Sequence, residues 1–188
     1  MWKAARIAVL LFILVVVAQR AWLEEADLDW KSSFRVTVYP VNVDRNDRVA
    51  AYIRSLNSKD FEPVTAFFAD EAAHYQLQLR RPIEVSLGQE VRDVPPAPPV
   101  EGGALSLVVL SHELLHTLKA TDKYDPRTTL PIYPEGYAEP DRMPRYPQEF
   151  AELMGGRVPL AQDRAEIPAS LRNVLIGERT AREIRWVK

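Results

Sequence analysis

The sequence predicts an α+β fold, in which one domain has a small twisted sheet, a buried helix and a helical C-terminal part. Three observations predict it. Segments with the period-two alternation of strands and segments with helical spacing follow one another along the chain. The length of 188 residues suits one domain of ordinary size. An apolar segment near the N-terminus differs from everything after it, and we expect it to be a helix that precedes the domain.

The N-terminal apolar segment has the flanks of an export signal. An uninterrupted apolar run over residues 7–18 follows Lys3 and Arg6. Its length suits the core of a cleaved signal peptide. However, Trp2 and Trp22 would lie about 30 Å apart along a helix, which places one aromatic ring at each face of a bilayer. We therefore favour an uncleaved single-pass anchor over a cleaved signal peptide.

This anchor also predicts the location and organisation of the chain. Residues 1–23 would contact the membrane, residues 24–33 would form a polar spacer, and residues 34–188 would form the domain. Since positive flanks stay on the cytoplasmic side, we expect the domain on the extracytoplasmic side, periplasmic or extracellular. The formal net charge of −2 gives no basic field for nucleic acid, so we expect no nucleic-acid partner.

The elements of the domain follow from periodicity and from breaking residues. Alternating β-branched residues predict a first strand, which Pro40 limits, and Asp60 is the expected N-cap of the second helix. In chain order we expect a strand over 34–43, helices over 45–56 and 61–77, a strand over 81–91, a proline-rich loop at 95–99, the buried helix ending near Lys119, a long loop over 122–147, a helix over 169–175, and a helical or extended end over 180–187.

The buried helix carries two histidines and a glutamate in the pattern His112-Glu113-Leu114-Leu115-His116. Positions i and i+4 share a helix face, so both imidazoles can bind one metal ion while Glu113 reaches a water molecule beside it. A divalent metal would satisfy three polar side chains that are costly to bury in an apolar helix. The chain has no cysteine, which excludes disulfides and thiolate zinc sites. The pattern predicts a zinc site with Glu113 as its catalytic residue.

A catalytic zinc ion usually has three protein ligands and one water, so a third ligand is needed. Asp122 is the nearest candidate, since it follows His116 by six residues and the chain leaving the helix can fold back over the metal. Asp122 can also be interpreted as a turn or cap residue. Glu135 and Glu139 are the rival ligands, although each is also typical of a solvated loop carboxylate. We predict His112, His116 and Asp122 as the ligands, with the two glutamates as alternatives.

These residues resemble the zincin metallopeptidases. The spacing of the motif and Asp122 is similar to the metzincin branch, in variants of the snapalysin type where aspartate replaces the third histidine. Metzincins have a tight turn with a methionine beneath the zinc site, and residues 152–156 are similar to it, although Met154 can also be an ordinary core residue. Lys119 stands where metzincins carry a glycine. The resemblance covers about residues 105–156 and implies a zincin-like fold and peptide-bond hydrolysis.

The expected function is therefore that of a membrane-anchored zinc metallopeptidase, which hydrolyses peptide or protein substrates outside the cytoplasm with Glu113 as general base. The alternative is a non-catalytic envelope protein, whose structural or vestigial zinc site supports the binding of a partner. Another zinc hydrolase on the same scaffold is a third interpretation. We expect His74 to be structural, and we expect packing roles for the tyrosines that follow the motif, namely Tyr124, Tyr133, Tyr137 and Tyr146.

Overall fold

Helices and short strands alternate along the chain in an α+β arrangement. The computed structural model describes residues 29–42, 45, 47–91 and 106–187. Its helices are α1 (Asp47–Ser55), α2 (Glu62–His74), α3 (Leu107–Thr117) and α4 (Glu178–Glu183). Its strands are β1 (Phe34–Val38), β2 (Ile83–Leu87), β3 (Ala151–Glu152), β4 (Val158–Ala161), β5 (Arg164–Glu166) and β6 (Val174–Leu175). These elements confirm the α+β class, but the strands form three two-stranded sheets instead of one.

The first sheet is the parallel pair of β1 and β2, with Val36 opposite Val85. Parallel strands need a crossover connection, and here the crossover holds α1 and α2. Helix α2 lies against β2, and the hydroxyl of Thr65 on α2 accepts a hydrogen bond of 3.2 Å from the backbone N–H of Val85 on β2. Both strands are shorter than predicted, and Pro40 follows the end of β1 closely, as its missing N–H requires.

The start of α2 differs from the prediction. Asn57 is the residue that caps the chain here, with its side chain accepting a hydrogen bond of 3.0 Å from the backbone N–H of Lys59. A 3-10 turn, Ser58–Phe61, follows, and Asp60 completes a capping box by accepting from the backbone N–H of Asn57 at 2.8 Å. Asp60 therefore belongs to a cap one turn earlier than expected, and α2 begins at Glu62.

The C-terminal part contains more strand than the sequence predicted. The expected helix over 169–175 is wrong: a 3-10 turn, Leu171–Asn173, leads directly into β6, which pairs in parallel with β3. The antiparallel pair of β4 and β5 had no predicted counterpart, and Pro159 within β4 hides its strand signal. The expected helical or extended end is helical, as α4. Strand β6 forms because it pairs with β3, which is distant in sequence, and such pairing cannot be predicted from local periodicity.

Helix α3 lies in the core, as predicted for the motif helix. The side chain of Ser106 caps its N-terminus by accepting from the backbone N–H of Val109, and Ser111 is fully buried with its hydroxyl bonded to the carbonyl of Leu107 at 2.8 Å. The buried apolar side chains of this core come from α2, β2, α3 and the C-terminal part of the chain, namely Val64, Phe68, Ile83, Leu114, Leu115, Leu118, Leu153, Met154, Ile184 and Trp186.

Helix α3 ends in a Schellman motif. The N–H of Lys119 bonds to the carbonyl of His116 and the N–H of Ala120 to the carbonyl of Leu115, both at 3.0 Å. Lys119 adopts the left-handed conformation that this motif needs, with φ of 72°. Glycine is the usual residue there because it has no Cβ. The chain thus turns sharply away from α3 at Lys119, whose left-handed backbone is strained because lysine has a Cβ.

Two predicted features lie outside the described residues, namely the N-terminal anchor and the proline-rich loop at 95–99. Among the helices that are described, none has the length and apolar character needed to cross a membrane.

The left-handed backbone of Lys119 generates a prediction about stability. Lys119→Gly should raise the free energy of unfolding by about 1 kcal/mol, because the relieved strain exceeds the added entropy of the unfolded chain. Lys119→Ala is the matched control, since it removes the same side chain but keeps the Cβ. Chemical denaturation of both variants measures the difference, and equal stability of the two would contradict a strained exit.

Candidate metal centre

The Nε2 atoms of His112 and His116 lie close together, and the Nδ1 atoms of both rings contact backbone carbonyls. Nδ1 of His112 lies 2.9 Å from the carbonyl oxygen of Leu153, and Nδ1 of His116 lies 2.9 Å from that of Ala120. A carbonyl oxygen only accepts hydrogen bonds, so both Nδ1 atoms carry the hydrogen. Each Nε2 of the neutral rings then keeps its lone pair, which is the tautomer that a metal-binding histidine uses.

The third donor is Asp122. Its Oδ1 lies 3.1 Å from Nε2 of His112 and 3.2 Å from Nε2 of His116, and the two Nε2 atoms are 3.2 Å apart. Three acceptor atoms this close repel one another unless a positive charge lies among them. Tetrahedral zinc with bonds of about 2.0–2.2 Å separates neighbouring ligand atoms by about 3.3 Å. The triangle of donors therefore fits a zinc ion in both chemistry and size.

The position of Asp122 is set by the residues on either side of it. Glu183 on α4 accepts hydrogen bonds from the backbone N–H of Thr121 at 3.0 Å and from Nζ of Lys123 at 2.7 Å. The Lys123 side chain is only 4% exposed. Burial opposes ionisation of the Glu183 carboxyl, but the hydrogen bonds from Lys123 and Thr121 outweigh it and hold the pKa of Glu183 below its usual range. This buried ion pair fixes the short segment that carries Asp122.

A tight turn over residues 152–156 lies directly under the site. The backbone N–H groups of Gly155 and Gly156 both bond to the carbonyl of Glu152 at 3.0 Å. The carbonyl of Leu153 in this turn orients His112, and the carbonyl of Met154 accepts from the backbone N–H of Lys123 at 2.9 Å. Met154 itself is fully buried in the core. One turn therefore contacts both the helix and the aspartate segment.

Glu113 is exposed and lines a cavity of about 260 Å³ together with His112. The walls of this cavity are largely apolar side chains and the bare backbone of a glycine pair, and they include Val108, Val109, Leu153, Gly155, Gly156 and Ile167. An exposed carboxylate beside a donor triangle can accept a proton from a water molecule there. An apolar cavity next to it has room for a substrate side chain.

Tyr124 also lines this cavity. Burial, the negative charge of Asp122 and a hydrogen bond with Asp122 raise the pKa of the Tyr124 hydroxyl. The phenol therefore stays protonated at neutral pH and can donate a hydrogen bond, to Asp122 or to a ligand. The sequence favoured a packing role for this tyrosine over a hydrogen bond to a reacting group, and the structure places Tyr124 on the cavity wall.

The rival ligands and the other candidates lie outside the donor triangle. Glu139 accepts from Nη1 of Arg142 at 3.0 Å, and Glu135 is an exposed loop residue, so neither joins the donor triangle. His74 ends α2 with its ring against Tyr75. Tyr137 and Tyr146 pack together, with their hydroxyl groups 2.8 Å apart.

The sequence assigned no role to three residues of the site. Glu183 and Arg157, a further residue on the cavity wall, belong to no motif, and Glu152 is the first residue of the expected methionine turn. Each contacts the site only because of the tertiary fold. A glutamate next to apolar residues, as in Glu152-Leu153-Met154, is the one local feature of the sequence that could have indicated a buried carboxylate here.

The ion pair beside Asp122 generates a prediction about metal affinity. Glu183→Gln should weaken zinc binding about 10- to 100-fold, as the loss of outer-shell support usually does, because the segment around Asp122 loses its charged acceptor. Glu178→Gln, on the same helix but paired at the surface with Arg182, is the matched control and should bind zinc like the parent. Competition with a chromophoric chelator measures both, and equal affinities would contradict the role of Glu183.

The donor triangle, the exposed glutamate and the apolar cavity together are what a metal-dependent hydrolytic site requires. We compared the chain with protein-family models, with curated proteins and with solved structures, and no match was found in any of the three.

Proposed function

We propose that the chain is a zinc-dependent metallopeptidase. The observation that carries this proposal is the triangle of His112, His116 and Asp122, whose three lone-pair atoms lie 3.1–3.2 Å apart. Nitrogen and oxygen donors in a set of three, with a fourth position left open, are typical of catalytic zinc. The exposed Glu113 on the next residue of the helix supplies the base that such a site needs.

The chemistry would proceed by addition of water to a peptide carbonyl. Bound zinc would supply charge that polarises the carbonyl and lowers the pKa of water in the site towards about 7. Glu113 would take the proton of the attacking water as the new C–O bond forms. It would then return that proton to the leaving amine as the C–N bond breaks, so Glu113 ends the cycle as a carboxylate. The Tyr124 hydroxyl would donate a hydrogen bond within the same cavity.

The choice of peptide bonds rests on the resemblance to zincins of the metzincin branch. In addition to the motif, the turn over residues 152–156 lies beneath His112, where the resemblance implies it. Lys119 has the left-handed backbone that glycine favours, which supports the sharp exit from the helix that the resemblance implies. These points support a zincin-like arrangement of the site.

The proposal includes a membrane anchor. Its support is the sequence alone: the apolar run over residues 7–18, the positive residues before it, and the pair Trp2 and Trp22. The domain would then act on peptides or proteins on the extracytoplasmic side.

A structural zinc site in a non-catalytic protein is the less favoured function. Structural sites are closed by four protein ligands, whereas the donor group found among the described residues has three members. Glu113 is also exposed beside a cavity, which a purely structural site does not need.

The assignment of the base generates a prediction about activity. Glu113→Gln in the full-length chain should retain zinc in a 1:1 ratio and lose peptide hydrolysis by about 10²- to 10⁴-fold, because the amide cannot take the proton. Glu135→Gln changes another exposed glutamate in the same way and should leave activity unchanged. Metal analysis and cleavage of a mixed peptide library measure the two effects, and a fully active Glu113→Gln would disprove the mechanism.

The assignment of the third ligand generates a separate prediction. Asp122→Ala should weaken zinc binding by about 100-fold or more, beyond the usual effect of an outer-shell change. Glu135→Ala and Glu139→Ala test the rival ligands and should bind zinc like the parent. If either glutamate variant lost the metal while Asp122→Ala kept it, the donor triangle would be the wrong site.

A further inference from the structure

One positively charged side chain shares the cavity with Glu113 and His112. Arg157 follows the Gly155-Gly156 pair and precedes β4, and its side chain lines the cavity of about 260 Å³. Arg157 is partly buried. It forms no ion pair and no side-chain hydrogen bond with any residue in the described part of the chain, whereas Arg142 pairs with both Glu139 and Glu149.

The rest of the cavity wall makes this guanidinium unusual. Val108, Leu153 and Ile167 give the cavity an apolar lining, and Gly155 and Gly156 add backbone without a side chain. A guanidinium that is partly buried against apolar groups loses part of its hydration without gaining a partner, so an anion that contacts Arg157 gains a charge-assisted hydrogen bond. The planar fork of arginine matches a carboxylate in two-point geometry.

We infer that Arg157 binds a carboxylate of the substrate, so that the site takes peptides with a carboxylate close to the bond that is cleaved. This inference rests on the proposed peptidase function, whose base Glu113 lines the same cavity. The apolar wall contacts the carbon chain that carries the carboxylate, and Arg157 contacts the carboxylate itself. Two sources have this chemistry: the side chain of a glutamate or aspartate, and the free C-terminus of a short peptide.

The test compares cleavage of matched peptides by the full-length, zinc-loaded protein in detergent. One arm varies a single position on either side of the cleaved bond between Glu, Gln and Lys. A second arm compares a free with an amidated C-terminus in otherwise identical peptides. Preference for Glu identifies an acidic side chain as the bound group, and preference for the free C-terminus identifies the terminal carboxylate.

The variants assign that preference to Arg157. Arg157→Ala should lower kcat/KM about 10- to 100-fold for the preferred carboxylate peptides, as expected for the loss of a hydrogen bond between charged groups, and should change the neutral peptides little. Arg157→Glu should shift the preference towards Lys. Arg164→Ala, which removes an exposed arginine on β5, is the matched control and should behave like the parent.

The outcomes separate the two proposals. If the parent cleaves neutral and carboxylate peptides equally well, or if Arg157→Ala slows both equally, the role of Arg157 is overturned while the peptidase function stands. If the zinc-loaded parent cleaves no peptide in either arm, the peptidase function fails and the inference fails with it.

Discussion

The rest of the site depends on the hydrogen bonds that the buried carboxylate of Glu152 accepts. It is fully buried and accepts three hydrogen bonds, from the backbone N–H of Gly155 at 2.7 Å, from that of Gly177 at 3.1 Å and from the Thr180 hydroxyl at 2.6 Å. Burial raises its pKa while these donors favour the charged form. A buried carboxylate without such donors would be strongly destabilising. Glu152 therefore fixes the turn under the histidines and the start of α4 relative to each other.

A second buried glutamate extends this connection to α2. Glu71 accepts a hydrogen bond of 2.6 Å from the backbone N–H of Ile176, and the Tyr75 hydroxyl donates to the carbonyl of the same residue at 2.6 Å. The segment that enters α4 is thus held from two sides, and α4 carries Glu183 to the residues beside Asp122. The aspartate is far from these glutamates in sequence, but its position follows from them through one short helix.

The sequence predicted the parts of the site that local geometry determines. His112 and His116 share a helix face by the i, i+4 rule, and Asp122 can return to them because the chain exit is short. The contact of the Leu153 carbonyl, the Lys123–Glu183 pair and the place of Arg157 on the cavity wall could not be predicted, since each depends on tertiary contacts. The fold shows the same division: α1, α2 and α3 were predicted from periodicity, whereas β6 replaced a predicted helix because Ala151 and Glu152 pair with it.

The charges of the site would connect the proposed metal chemistry with the proposed substrate. Hydrogen bonds to two backbone carbonyls direct Nδ1 of both histidines away from the triangle, so Asp122 is the one carboxylate among its three donors. A divalent ion held by these groups would keep an excess of positive charge, which a second carboxylate ligand would reduce. Such an excess would lower the pKa of water in the site. Arg157 offsets the negative charge of Glu113 on the same cavity wall, so with zinc bound the field would favour an anionic group on the proposed substrate and oppose a cationic one.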